Sequence, residues 1–96
     1  MTRVRIPAIA DLATAIRLYY SKLELSNADI RELFPKTGKS TILKLKKRAQ
    51  EYMSEKGTLV YGGYSVNTRD AYSAWGLDIA DIERRYEKLK KLEMAG

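Results

Sequence analysis

Six basic side chains lie within residues 36–50, and no acidic residue lies among them. They are Lys36, Lys39, Lys44, Lys46, Lys47 and Arg48. The chain has 18 Lys and Arg against 12 Asp and Glu, a formal net charge of +6, so this basic block equals the entire excess. A focused positive patch raises the local concentration of a polyanion and steers its approach. The block therefore indicates a nucleic-acid partner, with a solvated helix face that only keeps the protein soluble as the alternative.

The sequence offers little that could carry catalysis. It has 96 residues with no histidine and no cysteine, which removes the commonest general base and the commonest metal and thiolate ligands. Residues 37–41 match the last part of the sequence motif of a phosphate-binding loop. Leu33, however, occupies the position where that motif needs its first glycine. We expect a protein that is not an enzyme and has no cofactor, no metal and no small-molecule substrate.

Apolar spacing and capping signals divide the chain into five predicted helices. Pro7 is placed as the first residue of the first helix, Ser26 and Asp29 resemble a capping box before the second, and Gly57 ends the third. Asn67 and Asp78 cap the last two, and Tyr72 and Trp75 are expected to anchor the fourth helix against the first. The predicted helices cover residues 7–23, 27–34, 39–54, 68–75 and 79–94.

A glycine pair between aromatic and β-branched residues predicts a β-hairpin over residues 58–67. With Gly62 and Gly63 as the turn, Leu59 faces Val66 and Thr58 faces Asn67. A glycine-rich loop without strands is the alternative. The sequence thus predicts a mainly α protein with a three-helix core in residues 1–57, the hairpin in 58–67, and C-terminal helices for packing or dimerisation in 68–96.

Between residues 25 and 49, a short predicted helix that reads DIRELF over residues 29–34 is followed by a longer one that begins GKSTILKL over residues 38–45. This stretch resembles the helix-turn-helix of small bacterial and phage DNA-binding regulators. The resemblance implies that the third helix enters the major groove of duplex DNA. The residues that would contact DNA are Lys36, Thr37, Lys39, Ser40, Thr41, Lys44 and Lys47. A hairpin directly after this helix resembles the wing of winged members of the class.

Two functions from different classes follow from these patterns. The first is a small DNA-binding regulator or architectural factor of a bacterium or phage, which pairs as a homodimer or higher homo-oligomer. The second is a non-catalytic helical interaction module, such as a phage packaging or virion-assembly component. The apolar stripe of the last helix, from Ile79 through Ile82 to Leu89, fits either a dimer seam or the protein's own core. Asp11 interrupts the first apolar stretch, so we expect no signal peptide. No apolar run approaches the ~20 residues that span a bilayer, so we expect no membrane association. With DNA as the expected partner, we expect a cytoplasmic, nucleoid-associated location.

Overall fold

A computed structural model of the protein describes residues 5–58 and 65–95. Within these ranges the chain forms five helices and two short strands. In chain order they are α1 (Leu12–Ser21), β1 (Glu24–Leu25), α2 (Asn27–Leu33), α3 (Lys39–Lys56), β2 (Val66–Asn67), α4 (Thr68–Ala74) and α5 (Ile79–Ala95). The mainly α class that the sequence predicts is confirmed, and the strands form a small antiparallel pair.

The first helix begins later than predicted. Asp11 caps α1 by accepting a hydrogen bond from the backbone N–H of Thr14 at 2.6 Å, so Pro7 is not the first helical residue. Ahead of it, the N–H of Ala10 donates to the carbonyl of Leu33 at 2.8 Å. This hydrogen bond holds the non-helical residues before α1 against the end of α2. Ile6 and Ile9, which lie in that segment, pack against the core.

The local signals around α2 and α3 are confirmed. The hydroxyl of Ser26 accepts from the N–H of Asp29, and the Asp29 carboxylate accepts from the N–H of Ser26 at 2.9 Å, which completes the capping box. At its C-terminus α3 runs two residues beyond the predicted Ser54, to Lys56. Gly57 then ends it in the left-handed region, with φ of +82°, a conformation that glycine adopts without steric penalty.

The strand pairing joins distant parts of the chain. Glu24 lies opposite Asn67 and Leu25 opposite Val66, so β2 pairs with a strand that precedes α2. The predicted hairpin instead placed Leu59 and Thr58 opposite these residues. Thr58 is not in a strand but follows α3, where its N–H donates to the carbonyl of Met53 at 2.9 Å. The remainder of the predicted hairpin, residues 59–64, lies outside the described residues.

One hydrophobic core includes residues from all five helices and both strands. Its aromatic centre is formed by Phe34, Tyr72 and Trp75, with the Phe34 and Trp75 rings in an edge-to-face arrangement at 5.4 Å between centroids. Tyr72 joins α4 to α1, as the sequence predicts. Trp75 instead donates its indole N–H to α3, so α4 lies between α1 and α3 and holds both.

The last helix is divided between the core and the surface. Ile79 and Ile82, in its first turns, contribute to the core, where α5 packs on α1. Farther along, Leu89 is 43% exposed, Leu92 72% and Met94 87%. The start of the apolar stripe therefore covers the protein's own core, and its end does not. Within the described residues, no helix has the length and apolar character to cross a membrane.

Candidate nucleic-acid interface

The third helix has an inner face in the core and an outer face toward solvent. Ile42, Leu45, Ala49 and Met53 are buried. The opposite side carries five exposed residues, which we call the outer face of α3: Lys39, Ser40, Leu43, Lys44 and Lys47. At 3.6 residues per turn these five positions span an arc of about 140°. Three of the lysines from the basic block are thus side by side on one surface.

The positive charge of this surface is not neutralised locally. Among the described residues, no carboxylate forms an ion pair with Lys36, Lys39, Lys44 or Lys47. Lys36 lies exposed in the turn between α2 and α3, close in sequence to the start of the outer face. The ion pairs among the described residues join α1 to α2, the C-terminal end of α3 to α4, and neighbouring residues of α5. An unpaired cluster of ammonium groups is what a phosphate backbone requires.

Two residues of the basic block point away from this surface. Lys46 is only 9% exposed, because its position on the helix places its carbon stem among the core residues. Arg48 donates from Nε to the carbonyl of Ala74 at 2.9 Å and so binds the end of α4. Composition alone therefore overstates the available charge, and the outer face with Lys36 presents four of the six cations.

The first turn of α3 leaves backbone donors available. Gly38 is the N-cap, and no side chain among the described residues caps the helix there. The first N–H groups of a helix, with the positive end of its dipole, favour a phosphate. Lys36, Lys39 and Ser40 surround this end and are all exposed. This turn therefore combines backbone donors with exposed cationic side chains.

The structure separates the two threonines from the other predicted contact residues. The hydroxyl of Thr37 is enclosed and has no hydrogen-bond partner among the described residues. Thr41 is half-buried, at the edge of the inner face. Neither residue belongs to the outer face. Of the seven residues predicted from sequence, the structure brings Lys39, Ser40, Lys44 and Lys47 together, with Lys36 beside them.

The fourth helix holds the inner side of α3 along most of its length. The indole N–H of Trp75 donates to the carbonyl of Leu45 at 2.9 Å, and Arg48 binds Ala74 in the next turn. At the C-terminus of α3, Lys56 Nζ lies 3.1 Å from the buried carboxylate of Asp70, which also accepts from the hydroxyl of Thr58 at 2.7 Å. These contacts with α4 hold α3 in one orientation. Side chains on a helix that is held in this way keep fixed positions relative to one another.

Sequence analysis missed Leu43. It is 52% exposed in the middle of the outer face, with Lys39 and Lys47 one turn away on either side. The signal that could have revealed it is a large apolar residue on the polar side of an otherwise regular helical pattern.

No family model, no curated protein and no solved structure matches this chain.

Proposed function

We propose that the protein is a non-catalytic DNA-binding protein, a small regulator or architectural factor that docks the outer face of α3 in the major groove. The observation that carries the proposal is a set of exposed lysines on one side of a helix whose other side lies in the core. None of these lysines has an ion-pair partner among the described residues. Binding of this kind implies association with a bacterial nucleoid or with phage DNA.

The dimensions of α3 suit this role. Its 18 residues give a length of about 27 Å, at 1.5 Å per residue. The major groove of B-form DNA is about 12 Å wide and admits one helix. In such a docking Lys39, Lys44 and Lys47 reach the phosphates that flank the groove, while Lys36 and the first N–H groups of α3 approach one strand. The short α2 and the turn at residues 34–38 precede α3, as in helix-turn-helix proteins.

Charge reversal on the outer face tests the proposal. We expect Lys44→Glu with Lys47→Glu to weaken binding to a random-sequence duplex at low salt by at least about 30-fold, because two phosphate contacts become repulsive. The readout is fluorescence anisotropy. The slope of log affinity against log salt should be about −4 for the wild type, from four lysines at about 0.9 each, and about −2 for the double variant.

A matched control separates the outer face from net charge. Lys22→Glu with Arg69→Glu makes the same charge change at two exposed positions, one directly after α1 and one in the first turn of α4. This control should retain wild-type affinity within about twofold, since its residues lie outside the proposed docking surface. Equal weakening by the two double variants, or no binding by the wild type at micromolar protein, would contradict the proposal.

We further propose that two copies of the chain pair through the last turns of α5. Leu89, Leu92 and Met94 form the exposed apolar end of this helix. Charges of both signs surround them, with Glu87 and Glu93 among Lys88, Lys90 and Lys91. A mixed-charge, apolar helix end is complementary to a second copy of itself, and a paired protein could place two α3 helices in successive major grooves.

A further inference from the structure

One apolar residue lies midway along the length of the outer face of α3. Leu43 is half-exposed there, whereas the neighbouring leucine on the same helix, Leu45, is completely buried. Lys39 and Lys47 lie four residues to either side, and Lys44 follows directly. Leu43 is not part of the hydrophobic core, so its side chain contributes little to folding. In the docking proposed above, Leu43 would face the groove together with the lysines beside it.

The chemistry of the major groove offers one apolar group to such a side chain. Base edges there present hydrogen-bond donors and acceptors, and thymine alone adds the C5-methyl group. We propose that Leu43 contacts the C5-methyl of a thymine and gives the protein a preference for DNA with thymine near the middle of the α3 footprint. This inference rests on the proposed function and adds sequence preference to a surface otherwise suited to phosphates.

The residues around Leu43 support separate roles for the lysines, which would bind phosphates, and for Leu43, which would select the base. Lysines bind phosphates of any sequence, whereas a leucine gains only where an apolar surface meets it. Ser40 lies three residues before Leu43 on the same face and has a hydroxyl that can bond the edge of an adjacent base. The lysines therefore set the affinity, and Leu43 with Ser40 sets the preference among sequences.

The test removes one methyl group from DNA and one side chain from the protein. A preferred duplex is first selected from a random pool with the wild-type protein. Each thymine is then replaced in turn by deoxyuridine, which lacks only the C5-methyl. We expect one replacement to weaken wild-type binding roughly fourfold, the effect of one buried methyl-sized group. The same replacement should leave the affinity of Leu43→Ala unchanged.

The controls distinguish this inference from the proposal beneath it. Leu23→Ala, at an exposed leucine between α1 and β1, should retain the full sensitivity to deoxyuridine, and the thermal unfolding of Leu43→Ala should match that of the wild type. If binding depends on Lys44 and Lys47 but no deoxyuridine replacement matters, or if Leu43→Ala remains equally sensitive, the thymine contact is wrong and the DNA-binding proposal stands. If no duplex binds, both fail.

Discussion

At the scale of single residues, Tyr72 shows how one buried polar group orders the core. It is 1% exposed, and its hydroxyl donates to the carbonyl of Ala15 in α1 at 2.6 Å. Burial raises the pKa of the Tyr72 hydroxyl, so it stays protonated and remains a donor throughout the neutral range. Tyr72 thereby fixes α4 against α1, while Trp75 fixes the same helix against α3.

Removing this hydroxyl should destabilise the protein measurably. We expect Tyr72→Phe to lower the free energy of unfolding by about 1 kcal/mol, the net value of one buried hydrogen bond, because the ring still fills its site. Urea denaturation followed by circular dichroism measures the change. Tyr86→Phe is the control, since Tyr86 is half-buried on α5, and its effect should stay within about 0.5 kcal/mol. A similar loss in both variants would argue against the role of the Tyr72 bond.

At the scale of elements, the start of α1 depends on a titratable cap. The backbone N–H of Thr14 donates to the Asp11 carboxylate, and this bond holds the pKa of Asp11 below its ordinary value of 3.8. A carboxyl whose pKa is lowered by folding stabilises the native state fully above its unfolded pKa. The contribution is lost as the pH falls through the lower, folded pKa.

Asp11→Asn isolates this acid-sensitive contribution. Asparagine also caps helices well, so the variant should match the wild type at pH 7. From pH 7 to pH ~2.5 the wild type should lose more unfolding free energy than Asp11→Asn, because only the wild-type cap is protonated in that interval. Denaturant titrations at the two pH values measure the difference. Asp11→Ala, which lacks a cap, should be less stable than the wild type already at pH 7. An identical acid loss in wild type and Asp11→Asn would contradict the capping role.

At the scale of the whole molecule, the proposed pairing depends on the exposed end of α5. The described residues extend over 47 × 27 × 21 Å, an elongated shape, and the exposed apolar residues of α5 include Leu89 and Leu92. If these residues join two copies, light scattering should give about twice the 11.0 kDa chain mass. Leu89→Glu with Leu92→Glu should give a monomer, because charge at an apolar contact opposes burial.

The control for this light-scattering measurement is a substitution of an exposed leucine outside α5. Leu23, 89% exposed between α1 and β1, serves this purpose, and Leu23→Glu should leave the dimer intact. A monomeric wild type would overturn the pairing proposal without affecting the outer face of α3. A large assembly with negligible affinity for DNA would instead favour the interaction-module function, and the DNA-binding proposal would then be wrong.

Local interactions are the part of this protein that the sequence could specify. The capping box of Ser26 and Asp29 joins residues three positions apart, and Gly57 ends α3 through its own backbone freedom. The five helices and the basic block could be read in advance for the same reason, since each depends on neighbours within one or two turns. The first helix is the exception: Asp11 caps it locally, but the residues before Asp11 are not helical, and Ala10 bonds to the distant Leu33.

Long-range contacts decided the remainder. The pairing of β2 with β1 depends on packing that brings Leu25 next to Val66, although α2 and α3 lie between them in the sequence. Which cations face solvent was fixed by α4, which binds Arg48, and by the core, which encloses Lys46 while Lys44 and Lys47 remain outside. A sequence determines the order of charges along a helix, but only the surface on which that helix packs determines which of those charges a partner can reach.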